Sequence, residues 1–290
     1  MQNGCMKDTI KKRINLPVCK SDIIDAIKRK KSFLCIGLDS DFSLLPQHLL
    51  KEKNPVLSFN KSIIDATSEF AVAYKPNLAF YEQMGSVGWD ILQKTFEYIP
   101  EGILKIADAK RGDIGNTACK YAFSCFDFLG ADAVTINPYM GKDTVEPFLE
   151  YNNKWAILLA LTSNPGADDF ETLSLKNHRL LYEQIIVKSA QWGSSENMMF
   201  VAGATHPDMI KSMRTLVPDH FLLVPGVGIQ GGNLEKVAEN GINDECGLIV
   251  NASRSVIFSS SGKDFAQKAA EEAKKLKTQM SALLYRHGIL

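Results

Sequence analysis

Ile103-Leu104-Lys105-Ile106-Ala107, then Asp108-Ala109-Lys110-Arg111-Gly112-Asp113-Ile114-Gly115-Asn116-Thr117, then the amphipathic run Ala118–Leu129: this stretch holds in one place the unit from which the chain is built. The first run is mainly apolar and too short for a helix, so it reads as a strand buried on both faces. A turn crowded with charge follows. Beyond it apolar residues recur at helical spacing, with Asn116–Thr117 as a helix start and Gly130 as a stop.

The same rhythm recurs on both sides of this stretch, from about residue 30 onward. Strands are expected at Phe33–Leu38, Ala71–Lys75, Ile103–Ala107, Ala133–Asn137, Ala156–Leu161, Met199–Gly203, Phe221–Val224 and Leu248–Asn251. Helices are expected at Phe59–Phe70, Trp89–Tyr98, Ala118–Leu129, Lys142–Tyr151, His178–Trp192, Pro207–Leu216, Leu234–Glu239 and Lys263–Leu284. His206–Pro207 adds a start signal and Gly193 a stop. Strand–helix alternation implies parallel strands joined by right-handed crossovers. Eight units favour closure into a single-domain (β/α)8 TIM barrel of the α/β class over an open sheet. Residues 1–20 read as an N-terminal extension with no assigned role, and 21–290 as the barrel.

Composition narrows the function. Lys plus Arg and Asp plus Glu both number 33, so there is no basic excess of the kind that general nucleic-acid or membrane-surface binding needs. A local cluster of cations for one small anion remains compatible with that balance. The six cysteines contain no C-x-x-C pair and lie mostly in apolar runs, which fits a reduced, cytoplasmic setting. The five histidines are scattered, without metal-site spacing. No stretch approaches the ~18 apolar residues of a membrane helix, and the first twenty residues do not form a secretory signal.

A barrel places its active site at the C-terminal ends of the strands. Asp108 and Lys110, two apart at the end of the third strand, are expected to face the mouth together, with Ala109 packing outward. Asp108, Lys110, Arg111 and Asp113 should interact strongly at this spacing. Lys75 ends the second strand, just before Pro76, and Asp39 ends the first. Each alone reads as a salt bridge, a turn residue or a cap. Three neighbouring strands ending in charge point to a site, because unpaired buried charge is costly.

Two glycine-rich or Arg-bearing loops follow the seventh and eighth strands: Val224-Pro225-Gly226-Val227-Gly228-Ile229-Gln230-Gly231-Gly232-Asn233 and Ile249-Val250-Asn251-Ala252-Ser253-Arg254-Ser255. Barrels commonly bind phosphate there, and Arg254 offers a fork of donors suited to phosphate oxygens. After the fifth strand, Ser163 lies in Thr162-Ser163-Asn164-Pro165-Gly166 and reads equally as a turn or as a donor to a polar ring. Gly166–Asn177 lacks clear periodicity, as lids often do.

From about Phe33 to Phe258 the sequence resembles the orotidine 5′-phosphate decarboxylase family. The pattern D-x-K-x-x-D-I-x-x-T is met by Asp108, Lys110, Asp113, Ile114 and Thr117. The segment Tyr74-Lys75-Pro76-Asn77-Leu78-Ala79-Phe80-Tyr81-Glu82, with Asp-Ala-Lys-Arg-Gly-Asp, resembles its longer bacterial branch. The resemblance implies conversion of orotidine 5′-monophosphate to uridine 5′-monophosphate and CO2, the last step of de novo pyrimidine synthesis, with no metal or organic cofactor. It implies that Lys110 protonates C6, that Asp108 stands against the leaving carboxylate, and that Lys75 neutralises Asp108 and contacts ribose. It implies a homodimer with Asp113 and Thr117 supplied across the interface. Asp39 would bind ribose, Ser163 the pyrimidine, and Gln230 and Arg254 the phosphate. Asn77, Ile114, Pro225, Gly228 and Ser253 would join them as substrate-binding positions.

The residues leave two other readings open. One is a sugar-phosphate decarboxylase or epimerase of the same superfamily, which would need a divalent metal. The other is an inactive barrel that only binds nucleotide or a partner protein.

Overall fold

The computed structural model describes residues 18–205, 207–227 and 233–290. Eight parallel strands close into a barrel: β1 Leu34–Leu38, β2 Ala71–Pro76, β3 Leu104–Arg111, β4 Ala133–Ile136, β5 Trp155–Leu161, β6 Met198–Ala202, β7 Phe221–Pro225 and β8 Leu248–Ala252. Each pairs with its sequence neighbour, and β8 closes on β1 through Leu34↔Val250 and Ile36↔Ala252. Apolar β-branched and Leu-rich runs form these strands because side chains are covered on both faces, by the barrel interior and by the outer helices. All residues of β1, β2, β4, β6 and β8 are buried.

The helices are α1 Lys20–Lys30, α2 Pro55–Thr67, α3 Ala79–Glu82, α4 Gly85–Tyr98, α5 Gly115–Phe123, α6 Lys142–Leu149, α7 Leu181–Ser189, α8 Pro207–Leu216, α9 Leu234–Gly241, α10 Arg254–Ile257 and α11 Phe265–Arg286. α1 precedes the barrel and has no counterpart in the sequence reading, whose rhythm begins after it. Its Ile23, Ala26 and Ile27 are buried. At the start of β5 the Trp155 indole N–H donates to the Val18 carbonyl at 2.8 Å, and its ring meets Phe221 edge-on. The segment before β1 therefore packs over the end of the barrel away from the strand C-termini.

Several boundaries differ from expectation; α2 and α4, for example, each start four residues early, at Pro55 and Gly85. α5 starts at Gly115, ahead of Asn116–Thr117, and widens into a π turn over Ser124–Phe128 before Gly130 ends it at φ 71°. α7 is shorter than His178–Trp192. Its start is set by Glu183, whose carboxylate accepts from the Leu180 N–H at 3.0 Å, and it ends at Ser189, before Gly193. Gly166–Asn177 is not structureless: a 3-10 turn covers Pro165–Asp169, and Ser174 bridges Leu180 as a small hairpin. β3 runs to Arg111, four residues past the expected end at Ala107, for reasons that belong to the site.

Just before β7 sits His220, with neither ring nitrogen hydrogen-bonded among the described residues. Its ring packs 5.5 Å from that of Phe200. Burial, reinforced by the Arg214 charge, pushes its pKa from 6.5 down to about 4. The unfolded chain therefore takes up this proton first as pH falls, and stability is lost from pH 6.5 down towards 4. We expect urea midpoints measured at pH 7 and pH 5 to separate less for His220→Leu than for the wild type. An unchanged separation would contradict the assignment.

Candidate active site

The strand C-termini open onto a cleft of about 380 Å³. Thr135 of β4, Leu159 of β5, Val201 of β6, Leu223 of β7 and Asn251 of β8 line it from below, so the barrel interior itself forms the floor. The charged residues stand at the mouth. Asp108 is only 7% exposed, and each of its carboxylate oxygens meets a different ammonium. Lys75 Nζ lies 2.5 Å from Oδ2, and Lys110 Nζ lies 2.5 Å from Oδ1. Thr135 Oγ1 also donates to Oδ1, at 3.0 Å.

These contacts decide the protonation states. Burial alone would push Asp108 up, but the Lys75 and Lys110 charges outweigh it and hold the carboxyl well below the usual carboxylate range. Burial alone would push Lys75 down, but the Asp108 and Asp39 carboxylates outweigh it and raise the ammonium above the ordinary lysine value. Both groups are thus ionised across the neutral range. Behind them the Cys35 thiol, pushed up to about 12 mainly by burial, stays neutral and donates to Asn251 Oδ1 at 3.3 Å.

Asp39 follows β1 and lines the same cleft. Its backbone is fixed from both sides: the Tyr81 hydroxyl donates to the Leu38 carbonyl at 3.1 Å, and the Ser40 hydroxyl donates to buried Asn60 at 2.6 Å. Its Oδ1 is buried and accepts no hydrogen bond among the described residues. The Asp39 carboxylate lines the cleft, where a carboxylate can accept from a hydroxyl donor on a ligand.

The D-x-K segment is not a regular strand. β3 pairs with β4 at Ala107↔Val134, loses register, and resumes at Arg111↔Ile136. Lys110 sits at φ 46°, a left-handed conformation that costs a residue with a side chain about 1 kcal/mol. Simple alternation therefore does not explain why Asp108 and Lys110 meet. A bulge at the strand end re-aims Lys110, as bulges beside active sites do. Arg111 departs from the expected four-charge cluster. It pairs with Glu82 and lies over the Tyr121 ring, 5.1 Å from its centre.

Ser163, Pro225, Gly226, Val227, Ser253 and Arg254 line the same cleft. The β8 loop comes close to β1: a methyl group on Gly37 would stand 2.0 Å from Ser253 Oγ. Asn251 Nδ2 donates to that same oxygen at 3.1 Å. The loop after β5 is clasped by Glu171, whose carboxylate accepts from the Thr162 N–H at 2.7 Å and the Thr162 hydroxyl at 2.9 Å.

Of the sequence candidates, Asp39, Lys75, Asn77, Asp108, Lys110, Ser163, Pro225, Ser253 and Arg254 line one cleft. Asp113, Ile114 and Thr117 do not. The Asp113 carboxylate accepts from the N–H of Ile114 at 2.8 Å, and Ile114 is exposed. Gly228 and Gln230 lie outside the described residues. Sequence reasoning missed Thr135 and Asn251. Their signal was present, as polar residues inside otherwise apolar strand runs. Among the described residues, no three His, Cys, Asp or Glu side chains gather as a metal would require.

Fold and cleft together define a (β/α)8 barrel whose mouth carries a buried carboxylate–ammonium array, at the end where such barrels hold their chemistry. The sequence profile of the orotidine 5′-phosphate decarboxylase / HUMPS family matches residues 32–275, and the chain belongs to this family. An orotidine 5′-phosphate decarboxylase of Phocaeicola vulgatus is 52% identical over 268 residues, covering 91% of this chain and 98% of that protein. One of Flavobacterium johnsoniae is 53% identical over 263 residues, covering 90% and 96%. Among solved structures, the OMP decarboxylase of Leishmania donovani aligns with a TM-score of 0.79 at 34% identity, over 91% of this chain and 98% of its own.

The two ammoniums differ in burial, and that difference is measurable. Lys75 is 6% exposed and Lys110 51%. Removing the buried partner of a buried charge costs roughly 3 kcal/mol or more. We expect Lys75→Met to lose about that much in urea unfolding at pH 7, and Lys110→Met less than about 1 kcal/mol. The double variant Lys75→Met/Asp108→Leu should recover most of the loss. Equal losses for the two single variants would refute this account of the array.

Proposed function

We propose that this chain decarboxylates orotidine 5′-monophosphate to uridine 5′-monophosphate, with Lys110 as the proton donor to C6. The observation that carries the reading is the Asp108 carboxylate, held ionised between Lys75 and Lys110 in the same cleft as Arg254. The C6–carboxylate bond breaks with its electron pair left on C6, and CO2 departs. Lys110 gives its proton to C6 and regains one from water. The carbanion at C6 has no conjugated carbonyl to take its charge, so fixed cations beside it lower the barrier. A positioned ammonium supplies the trapping proton.

Asp108 faces the leaving carboxylate, and Lys75 keeps Asp108 ionised while reaching the ribose. Asp39, which lines the cleft, receives ribose hydroxyls, and Ser163 receives the pyrimidine edge. Arg254, with Ser253, Pro225 and the loop after β7 that carries Gly228 and Gln230, takes the phosphate. Binding energy from that remote dianion is available to hold the charged groups in place around C6. The chain works as a homodimer: Asp113, Ile114 and Thr117 stand outside their own cleft, and exposed Ile114, Tyr139 and Met140 lie on the loops after β3 and β4. Two copies joined there would bring each Asp113 and Thr117 to the partner's cleft. We assign residues 21–290 to this catalytic barrel. No helix among the described residues is long and apolar enough to cross a membrane. The free thiols of Cys35, Cys125 and Cys246 suit the reducing cytoplasm.

The direct test follows orotidine 5′-monophosphate absorbance with purified protein, with and without EDTA. Turnover unaffected by the chelator is expected, and no turnover, or turnover abolished by EDTA, would overturn the reading. Lys110→Ala should lower kcat by at least about a thousandfold while uridine 5′-monophosphate still binds. Near-normal turnover in that variant would remove Lys110 from its role. Arg254→Ala should weaken nucleotide affinity by roughly tenfold to a hundredfold and barely alter affinity for the nucleoside lacking phosphate. Calorimetric titration of both ligands distinguishes these outcomes.

A further inference from the structure

Thr135 is the buried polar residue of β4, 2% exposed, and it makes two hydrogen bonds that join parts of the array to each other. Its Oγ1 accepts from the Lys110 backbone N–H at 2.9 Å and donates to Asp108 Oδ1 at 3.0 Å. A threonine hydroxyl has one proton, so accepting from an amide and giving to a carboxylate uses it in the one consistent sense. Asp108 Oδ1 in turn accepts from Lys110 Nζ at 2.5 Å. The three residues thus close a ring: Thr135 holds the base of Lys110, Asp108 holds its tip, and Thr135 holds Asp108.

The position in the sheet explains why a hydroxyl is needed there. Between Ala107 and Arg111 the β3–β4 register shifts, and Lys110 takes the left-handed conformation at φ 46°. A Lys110 N–H turned out of the ladder needs an acceptor, since buried backbone donors are almost always satisfied. Thr135 Oγ1 replaces the strand carbonyl. Without it, Lys110 keeps its charge and its contact to Asp108 but loses the anchor that fixes where its long chain begins. A lysine carries substantial side-chain entropy and is half-exposed at this site, so its ammonium position depends on such anchors.

We infer that Thr135 is a positioning residue that sets Lys110 for proton delivery, an inference that rests on the decarboxylase reading above. Substrate recognition lies with other groups, so its removal acts on the chemical step. Proton transfer is sensitive to small misplacements, and an interaction that matters only in the transition state lowers kcat without raising KM.

The test compares Thr135→Val, which keeps the shape and removes the hydroxyl, with Thr135→Ser, which keeps the hydroxyl. For the Val variant kcat should fall roughly tenfold to a hundredfold, with KM and the Kd for uridine 5′-monophosphate within about threefold of wild type. The Ser variant should retain kcat within about threefold. Thermal unfolding run alongside identifies a variant that fails to fold, and Thr135→Cys, with a weak acceptor of similar size, then replaces Val and is expected to show the same loss of kcat. A Val variant with kcat within about twofold of wild type overturns the inference, as does a loss of kcat and nucleotide affinity together in both the Val and Ser variants. An inactive wild type sinks the decarboxylase reading and this inference with it. An active wild type matched by its Val variant sinks this inference alone.

Discussion

Asp108 is an anion kept almost out of water, and much of the site's architecture follows from keeping it charged. Burial of a lone carboxylate would drive it to protonate. Here two ammoniums, one on each oxygen, and a hydroxyl hold it ionised. The partners come from different strands: Lys75 from β2, Lys110 from the end of β3 and Thr135 from β4. A closed barrel makes this possible, because neighbouring strands end side by side and each aims one residue at the same point. With Asp39 from the end of β1, the array holds two side chains of each formal sign. The array is nearly neutral as a whole, yet each group feels strong local fields. Such a site can stabilise developing charge at one atom without reorganising first.

Below the mouth, strand side chains are mostly buried on both faces, and the β1–β2 pairing slips once, between Leu34 and Cys35. At the mouth the rules relax: β3 bulges, Lys110 is left-handed, and Gly37 lets the β8 loop pass where a side chain would strike Ser253. Each departure sets a functional group within reach of another. The strain at Lys110 persists because Asp108 and Thr135 fix both ends of the residue. A few hydrogen bonds of ordinary strength suffice, since the rigid strands beneath supply the reference frame.

The sequence conveyed most of this frame. Eight apolar runs with helical stretches between them have few other solutions, so the barrel and the strand order were legible, as was the convergence of Asp39, Lys75, Asp108 and Lys110. What failed did so for definable reasons. α1 carries a run of lysines and arginine that hides its short buried face of Ile23, Ala26 and Ile27. β3 outlasts its apolar run because the charges at Asp108, Lys110 and Arg111, which read as a turn, are followed by renewed pairing with β4 at Arg111. Arg111 was expected in the array because spacing along the chain says nothing of Glu82, which draws it away. Thr135 was overlooked because a single hydroxyl in an apolar strand is invisible to a search for charge.

Thr135 bears on how the proposed reaction is organised. Charged residues determine which species exist in the cleft, and those are recognisable by type. Their placement depends on neutral donors and acceptors, recognisable only by what they touch. The ammonium of Lys110 must point at C6 after CO2 leaves, while Asp108 still attracts it. An arrangement in which Asp108 alone held Lys110 would favour the resting pair over proton delivery. Anchoring the Lys110 backbone through Thr135 limits how far the ammonium has to travel when it gives up its proton, because the base of the side chain stays where it is. The hydroxyl at position 135 thus does for the geometry what Lys75 does for the charge: it leaves Asp108 held and Lys110 free to act.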